Sequence, residues 1–163
     1  MTELPAYRAS IQPDWIDYNG HLRDAYYALI VSLATDALMD RIGLDAEYRA
    51  RTHCTLYNVE LHIHYLHEVR QSDPLSVLVR ILAADHKRIH AAFEIVPAAQ
   101  QAPAAAAEVM LLHVCQQDEG ARTAPFPPAV AAALSALQTA SAGMPAAAPG
   151  SRRLELRGHG RSA

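Results

Sequence analysis

The densest cluster of polar and ionisable side chains lies in residues 14–27, DWIDYNGHLRDAYY. Four of its residues could transfer protons or position a substrate, namely Asp17, Asn19, His21 and Asp24. The apolar run that follows predicts a helix, so the cluster lies at a helix start. Free backbone N–H groups and the positive end of the helix dipole at such a start can hold an oxyanion or keep a carboxylate ionised. The cluster therefore favours acid-base or nucleophilic chemistry by a carboxylate.

Each of these residues also has a structural interpretation. An aspartate at a helix start commonly caps the helix, and that is the expected role of the Asp24 side chain. For Asp17 and His21, which lie on either side of Gly20, a turn and a catalytic role both stay open. The sequence contains no serine nucleophile elbow, phosphate-binding glycine loop or dinucleotide motif. A carboxylate is therefore the best candidate for the reacting group.

Aromatic side chains in and near this cluster could form part of a binding site. The candidates are Trp15, Tyr18, Tyr26, Tyr27 and Tyr65. Their faces would attract a substrate cation such as a trimethylammonium group, with about 0.5–2 kcal/mol for each ring. Aromatic residues beside a buried helix more often belong to the core, so packing is the main alternative role.

A second candidate binding element is the basic turn formed by His86, Lys87 and Arg88 after Asp85. Cationic side chains at the tip of a hairpin suit the phosphates of a substrate. An ordinary hairpin turn explains the same residues equally well. Both interpretations therefore stay open for this turn.

Three histidines, His62, His64 and His67, suggest a possible metal site. His62 and His64 share a strand face with Glu60, but His67 falls on the opposite face. A polar sheet face or a subunit contact explains them better. We therefore predict no metal and no cofactor.

The element that must position the cluster is the helix after it. The run DAYYALIVSLATDALMDRI begins at Asp24 and ends before Gly43, which is well placed as a C-terminal cap. Residues 25–34 are apolar almost all round. We therefore expect other parts of the chain to enclose the helix on most sides.

Alternating apolar and polar residues predict antiparallel strands after the helix. The expected strands lie within residues 55–69, 75–85, 88–96 and 108–116, with a short one at 7–12 before the helix. In the longest strand, one face is expected to carry Tyr57, Val59, Leu61, Ile63 and Tyr65. Residues 97–107 are expected to form a loop, and residues 128–141 a short Ala-rich helix. This order predicts an α+β fold in which an antiparallel sheet wraps around one long helix.

Composition limits the class of protein. The 163 residues are 51% hydrophobic and 19% charged, which suits a single core. We predict one domain at 1–141 and a flexible tail, rich in Ala, Pro and Arg, at 142–163. Residues 1–141 contain 10 Lys and Arg against 16 Asp and Glu. An acidic body argues against nucleic acid as a partner.

The expected location is the cytoplasm. The sequence has no apolar run of about 18 residues and no signal-peptide pattern, so we expect a soluble protein without a membrane partner. Cys54 and Cys115 each lie in an apolar segment that resembles a strand. In a reducing compartment, two buried free thiols are the expected state, and a disulfide is the less favoured alternative.

The segment DYNGHL at 17–22, followed by Tyr26 and Tyr27 on an apolar helix, resembles the signature of hotdog-fold acyl-CoA thioesterases of the 4-hydroxybenzoyl-CoA thioesterase type. The resemblance covers roughly residues 7–118. More narrowly, the segments DYNGHLRDAYYALI, VELHIHYLHEV and DHKRIH are similar to those of the betainyl-CoA thioesterases of carnitine degradation.

This resemblance implies a hotdog fold and hydrolysis of an acyl-CoA thioester to a free acid and CoA, with CoA as part of the substrate. It implies that Asp17 is the catalytic carboxylate and that a backbone N–H near Asp24 is the oxyanion donor. Asn19 and His21 would be positioning groups. Two asparagines are common after the Gly-His pair in the family, but this sequence has Arg23 and Asp24 there.

The resemblance also implies an oligomer, because family members place the active site between two subunits. We therefore expect a homodimer or a homotetramer. Two other functions remain as alternatives. One is a hotdog enoyl-CoA hydratase or dehydratase, and the other is a non-catalytic subunit that binds acyl-CoA and does not need Asp17.

Overall fold

A computed structural model of the chain describes residues 6–71, 73–100 and 102–142. Its helices are α1 (Asp24–Arg41), α2 (Ala46–Thr52) and α3 (Pro128–Ser141), and a short 3-10 helix covers Pro13–Trp15. Its strands are β1 (Ala6–Ala9), β2 (Cys54–Tyr65), β3 (Leu75–Ala84), β4 (Arg88–Pro97), β5 (Ala105–Gln117) and β6 (Gly120–Thr123). Apart from Ala142, the predicted tail at 142–163 lies outside the described residues.

The strands form one antiparallel sheet in the order β1-β3-β4-β5-β2, and β6 pairs with the last residues of β5. One core cluster joins α1 to the sheet, and it includes Ile30, Val31, Ala34 and Leu38 of α1, all fully buried. Because a long helix and a curled antiparallel sheet share this core, the predicted α+β architecture is confirmed.

The positions of both ends of α1 agree with the sequence-based expectation, but the expected capping role of the Asp24 side chain is wrong. The N-cap residue is Arg23, no side chain of the described residues caps the helix, and the Asp24 carboxylate accepts instead from the N–H of Ala25. The helix begins at Asp24, and Gly43 follows its last turn with a φ of +86°, a conformation that glycine tolerates best. The backbone N–H of Gly43 donates to the carbonyl of Asp40, and that of Leu44 donates to the carbonyl of Met39. These bonds occupy carbonyl groups that the end of a helix leaves without helical partners.

The expected enclosure of α1 on most sides agrees with the structure, except along one stripe. Apart from Asp24 and Arg41 at the two ends, the exposed residues of the helix lie three or four positions apart and form this stripe, made of Ala25, Leu29, Ser32, Asp36 and Asp40. Leu29 keeps 38% of its surface exposed. The remaining residues of the helix are buried or half-buried, so one chain leaves only this side of α1 uncovered.

A β-bulge in β2 changes which residues face the core. The pairing with β5 shifts between Asn58 and Glu60, so Val59 is an extra residue on β2. After the bulge, Leu61 packs against the core, whereas Tyr57 before it is 40% exposed. The expectation that Tyr57 and Leu61 share a face is therefore wrong, although the long strand itself is confirmed.

Three short elements were not predicted, namely the 3-10 helix at Pro13–Trp15, helix α2 and strand β6. Helix α2 begins after Asp45, whose carboxylate accepts a hydrogen bond of 2.8 Å from the backbone N–H of Tyr48, a standard N-cap. Strand β6 has four exposed residues and no apolar pattern.

Strand β5 begins at Ala105, inside the expected loop, because a row of buried alanines lets the backbone pack closely there. Helix α3 spans the predicted 128–141.

The two cysteines form a disulfide, so the expectation of two free thiols is wrong for this structure. Cys54 begins β2, and the strand register places it directly opposite Cys115 on β5. The residues are 61 positions apart in the sequence, and their pairing depends on a register that the sequence alone does not reveal. Within the part of the chain that is described, no helix is long and apolar enough to cross a membrane.

Candidate active site

Asp17 lies in a tight turn between the 3-10 helix and α1. Its Oδ1 accepts hydrogen bonds from the backbone N–H groups of Asn19, at 2.8 Å, and His21, at 3.1 Å. Gly20 closes the turn with a φ of +82°, and its N–H donates to the Asp17 carbonyl at 3.1 Å. One carboxylate oxygen is therefore fixed in place, while Oδ2 has no hydrogen-bond partner among the described residues.

The same turn controls the charge of Asp17. The hydrogen bond from the backbone N–H of His21 lowers the pKa of the Asp17 carboxyl below its usual value, and desolvation opposes this change. The bond from Asn19 and the nearby charges of His21 and Arg23 lower the pKa further. Asp17 is therefore ionised at neutral pH, as a base or a nucleophile must be.

A cavity of about 890 Å³ lies beside Asp17 and brings together part of the predicted site, namely Asp17, His21, Asp24, Tyr27 and Tyr65. It is lined by Asp17, His21, Leu22, Arg23, Asp24, Tyr27, Tyr65, Leu66, His67, Glu68, Arg70, Asp73 and Gln100. The other predicted candidates are absent from this lining, namely Trp15, Tyr18, Asn19, Tyr26 and the basic turn of His86, Lys87 and Arg88. Asn19 acts there through its backbone N–H, which holds the Asp17 carboxylate.

The start of α1 offers one backbone donor to this cavity. The N–H of Arg23 donates to the Trp15 carbonyl at 2.9 Å, and the N–H of Ala25 donates to the carboxylate of Asp24 at 2.8 Å. The backbone N–H of Asp24 itself has no acceptor among the described residues. It lies at the positive end of the helix dipole, where an oxyanion would be stabilised.

His21 is held at the cavity wall by a charged neighbour. Its Nε2 lies 3.0 Å from a carboxylate oxygen of Glu68, and its backbone bridges to Arg70. The His21 side chain keeps 26% of its surface exposed, so it is half-buried and can still meet a substrate. A fixed imidazole of this kind suits the positioning role that was predicted for His21.

The aromatic candidates form two separate pairs. Tyr27 and Tyr65 meet edge to face with ring centroids 5.2 Å apart, and both line the cavity. Trp15 and Tyr26 stack 5.1 Å apart outside its lining. Tyr18 is 95% exposed. Only the first pair is therefore placed to contact a substrate in this cavity.

The Tyr27–Tyr65 pair is anchored and uncharged. Burial, followed by the nearby Tyr65 and Glu68, raises the pKa of Tyr27 to about 12. Burial, followed by the charge of Asp24, also raises the pKa of Tyr65. The Tyr65 hydroxyl donates to the Asp24 carbonyl at 3.3 Å, which ties the ring to the start of α1. Both phenols therefore stay protonated and keep neutral rings at the pH where enzymes work.

The basic turn lies at the other end of the sheet. The carbonyls of His86 and Lys87 accept hydrogen bonds from the backbone N–H groups of Phe126 and His113. Arg88 forms a 2.7 Å ion pair with the carboxylate of Asp85. Within one chain, these residues do not line the cavity beside Asp17. Their role in binding phosphates stays a prediction.

The strand histidines do not meet each other. His62 forms a 3.2 Å pair with Glu60, while His67 lines the cavity. Sequence reasoning missed further lining residues, Glu68, Arg70, Asp73 and Gln100. Glu68 fell inside the expected strand at 55–69, but β2 ends at Tyr65, and the other three residues lie in loops with no helical or strand periodicity. The charges of Glu68, Arg70 and Asp73 were the only signal in the sequence.

The comparisons with known proteins agree on one family. A family model described as the thioesterase-like superfamily matches residues 11–134. The betainyl-CoA thioesterase of Pseudomonas aeruginosa is 43% identical over 143 residues, which cover 87% of this chain and 88% of that protein. The L-carnitine dehydrogenase/betainyl-CoA thioesterase of Agrobacterium fabrum is 39% identical over 140 residues, or 86% of this chain and 28% of that longer protein.

Solved structures give the same answer. The crystal structure of a candidate thioesterase from Pseudomonas putida KT2440 is 42% identical with a TM-score of 0.80, covering 97% of this chain and 99% of that one. Protein SAV2348 of Staphylococcus aureus, solved in complex with CoA, has a TM-score of 0.80 at 23% identity, covering 95% of this chain and 96% of that one. At that identity the likeness supports the fold alone.

The chain belongs to the thioesterase-like superfamily and has the hotdog fold. The predicted class of enzyme, an acyl-CoA thioesterase, is confirmed by its relatives.

Proposed function

We propose that this chain hydrolyses betainyl-CoA to glycine betaine and coenzyme A in the cytoplasm. The observation that carries the proposal is that the anchored carboxylate of Asp17 and the edge-to-face pair of Tyr27 and Tyr65 line the same cavity. The 43% identity to the betainyl-CoA thioesterase of Pseudomonas aeruginosa supports the choice of acyl group.

The ionised Asp17 carboxylate drives the reaction. Its Oδ2 either takes a proton from a water that attacks the thioester carbonyl, or attacks that carbonyl directly. In both routes the carbonyl oxygen of the tetrahedral adduct carries negative charge, and the backbone N–H of Asp24 donates a hydrogen bond to it. The adduct then collapses with cleavage of the C–S bond, which gives the free acid in the first route and an aspartyl anhydride, hydrolysed by water, in the second. In each route the CoA thiolate takes the proton that the water releases and leaves as the thiol.

The betainyl group carries a trimethylammonium, and the cavity suits that charge. The neutral rings of Tyr27 and Tyr65 offer aromatic surface, and the carboxylates of Glu68 and Asp73 line the same space. A cation near a ring face gains about 0.5–2 kcal/mol when it is partly desolvated. An uncharged acyl group of similar size gains none of this, so the cavity discriminates by charge.

A panel of thioesters tests the proposed reaction. Release of CoA would be measured with a thiol reagent for betainyl-CoA and for short-chain, long-chain and aromatic acyl-CoA esters. The proposal expects the highest kcat/KM for betainyl-CoA. Tight binding of every ester without CoA release would instead favour the non-catalytic binding subunit, and addition of water across an enoyl-CoA would favour the hydratase.

Water labelled with 18O tests whether Asp17 acts as a base or as a nucleophile. A single turnover with excess enzyme in 18O water places the label in the acid product if Asp17 acts as a base. If Asp17 attacks the thioester, water reopens the anhydride at the aspartyl carbon, and the label appears in the peptide that contains Asp17. Mass spectrometry of both species separates the two routes.

We further propose a homodimer in which two β2 strands pair across a two-fold axis. Among the described residues, β2 has a partner only on its β5 side, and Tyr57 and Val59 on this strand are exposed. A long unpaired edge with apolar side chains favours pairing with a second copy. A homotetramer would add a further contact between such dimers.

The dimer would also explain the distant basic turn. In an antiparallel β2 pair, the Tyr65 end of one strand lies beside the Cys54 end of the other. The 86–88 turn lies at the Cys54 end of the sheet, and the Asp17 cavity lies at the Tyr65 end. The partner's turn would therefore approach this chain's cavity, where Lys87 could meet the phosphates of CoA.

Light scattering and kinetics test this arrangement together. Val59→Lys places a charge at the unpaired edge, so the dimer is expected to dissociate and the KM for betainyl-CoA to rise. Lys87→Ala is expected to raise the KM without changing the mass in solution. A wild-type chain that is monomeric and fully active would overturn the proposed dimer.

A further inference from the structure

A second cluster of side chains that could bind a ligand lies away from the Asp17 cavity, near the C-terminal end of α1. The side-chain ligand atoms of Cys54, His113 and Cys115 all lie within 4.8 Å of one another. The three residues line a cavity of about 340 Å³, together with Tyr48 and Arg51. The proposed hydrolysis uses none of these groups.

His113 is oriented as a metal-binding histidine would be. Its Nδ1 lies 2.9 Å from the carbonyl oxygen of Ala124, which can only accept, so Nδ1 carries the proton. Its Nε2 therefore carries the lone pair, and it accepts a hydrogen bond from the Tyr48 hydroxyl at 3.0 Å. Metal-binding histidines are commonly fixed in this way, by donation from the other ring nitrogen to a carbonyl. His113 is also 1% exposed, so its orientation is enforced by packing.

The disulfide between Cys54 and Cys115 is one of two states that this pair can reach. If the chain acts on CoA thioesters in the cytoplasm, as proposed above, it meets a reducing environment in which disulfides rarely persist. Reduction leaves two thiols directly opposite each other on neighbouring strands, next to the imidazole of His113. Cysteine pairs near a histidine in such a compartment commonly bind metal.

We propose that reduction converts this cluster into a zinc site made of Cys54, Cys115 and His113. In the first step a dithiol gives two electrons and two protons to the S–S bond, which breaks, and the dithiol is oxidised to its own disulfide. In the second step Zn²⁺ displaces both thiol protons into solvent and binds the two sulfurs and Nε2 of His113. The Tyr48 hydroxyl gives up its bond to Nε2, and a water from the cavity takes the fourth position.

Distance and charge both suit zinc. Zinc binds thiolate at about 2.3 Å and imidazole at about 2.0–2.1 Å in a tetrahedral arrangement, so two of its ligands lie about 3.5–3.8 Å apart. The three ligand atoms now lie within 4.8 Å of one another, and side-chain movements can bring them to these separations once the S–S bond is broken. Two thiolates balance the charge of Zn²⁺, and soft sulfur ligands select zinc over magnesium or calcium. The cluster can hold either the disulfide or the metal, never both.

Zinc binding by the full-length chain tests this directly. The protein would be reduced with a phosphine, which avoids competition from dithiols for the metal, and titrated with Zn²⁺ against a chromophoric indicator. We expect one zinc per reduced chain and none per oxidised chain. Co²⁺ would replace Zn²⁺ in a parallel experiment, where a thiolate-to-cobalt charge-transfer band is expected only after reduction. Equal binding in both redox states, or none after reduction, would overturn the proposal.

Variants identify the ligands. Cys115→Ser and His113→Ala are each expected to weaken zinc binding by about 100-fold or more. His62→Ala is the matched control, because His62 is a strand histidine paired with Glu60 on another face, and its variant is expected to bind zinc normally. Loss of binding in His62→Ala would overturn the assignment. If His113→Ala fails to fold, Cys115→Ser and the cobalt band still decide the outcome, and neither depends on turnover of betainyl-CoA.

Discussion

The two ends of α1 are built in contrasting ways. At its N-terminal end, the Asp17 cluster comes from one short segment, with backbone N–H donors and a wide cavity beside it. At its C-terminal end, the Cys54, His113 and Cys115 cluster comes from two paired strands and is mostly buried. The first suits chemistry on a substrate that enters from solvent. The second suits a group that is held within the packed protein.

The largest expected effect is a fall in kcat, and it follows from removing the negative charge of Asp17 at the N-terminal end of α1. Asp17→Asn keeps the shape of the side chain and removes its negative charge and basicity, so kcat should fall by about 100-fold or more while substrate still binds. Steady-state kinetics and a binding isotherm with a non-hydrolysable analogue would measure both quantities.

Asp14→Asn is the matched control for this variant. Asp14 lies three residues away in the exposed 3-10 helix, outside the cavity lining. Its replacement should leave turnover close to wild type and cost about 1 kcal/mol or less of stability. A wild-type rate in Asp17→Asn, or a greater loss in Asp14→Asn, would mean that the reacting carboxylate has been misassigned.

The next effect concerns which substrates the Asp17 end prefers. Tyr65→Leu removes a ring that would face the trimethylammonium, so kcat/KM for betainyl-CoA should fall by roughly 2- to 30-fold, the range expected for one cation–π contact. An uncharged acyl-CoA of similar size should be affected much less. Tyr65→Phe loses only the hydrogen bond to the Asp24 carbonyl and should keep the preference for the cation. An equal loss for both substrates would assign Tyr65 to packing.

The two ends also differed in how far the sequence could predict them. The start of α1 at Asp24 and its glycine cap depend on neighbouring residues, and both were placed correctly. The disulfide depends on the pairing of residues 61 positions apart, and the face of Tyr57 depends on a bulge. Neither long-range register nor a bulge leaves a clear local pattern, so both predictions were wrong.

The fall of kcat/KM at acidic pH should report the lowered pKa of Asp17. The backbone N–H of His21 holds the pKa of Asp17 below the usual value of about 3.9 for an aspartate. The ionised form is the active one, so kcat/KM should be constant near neutral pH and fall only as the pH drops below that value. The sign for stability is the same, because a lowered carboxyl pKa contributes stability above the unfolded pKa and loses it as pH falls through the folded pKa. Circular dichroism alongside the rates would separate titration from unfolding, and an acid limb above that value in folded protein would contradict this account.

Removing the disulfide near the C-terminal end of α1 should lower the free energy of unfolding and leave the turnover number nearly unchanged. Replacing both cysteines by serine removes a cross-link between residues separated by 61 positions, which costs up to about 4 kcal/mol if loop entropy dominates. The turnover number should change by less than about twofold, because the cysteines line a different cavity of the chain from Asp17 and supply no group to the proposed hydrolysis. Urea unfolding and initial rates, both measured in the presence of a chelator, would test the two statements. A large fall in turnover with unchanged stability would show that the two ends are coupled.

The smallest expected effect is that of chelators on the rate. The proposed hydrolysis uses a carboxylate and a backbone donor, and it needs no Lewis acid. The proposed zinc site lies at the opposite end of α1 and requires reduced cysteines. EDTA should therefore leave kcat unchanged in oxidised and reduced enzyme, even where it removes bound zinc from the reduced form. Rates measured beside a zinc indicator would show both events at once. Lost turnover that added zinc restores would place a metal in the chemistry, and the same result in Cys115→Ser would locate that metal away from the cysteine cluster.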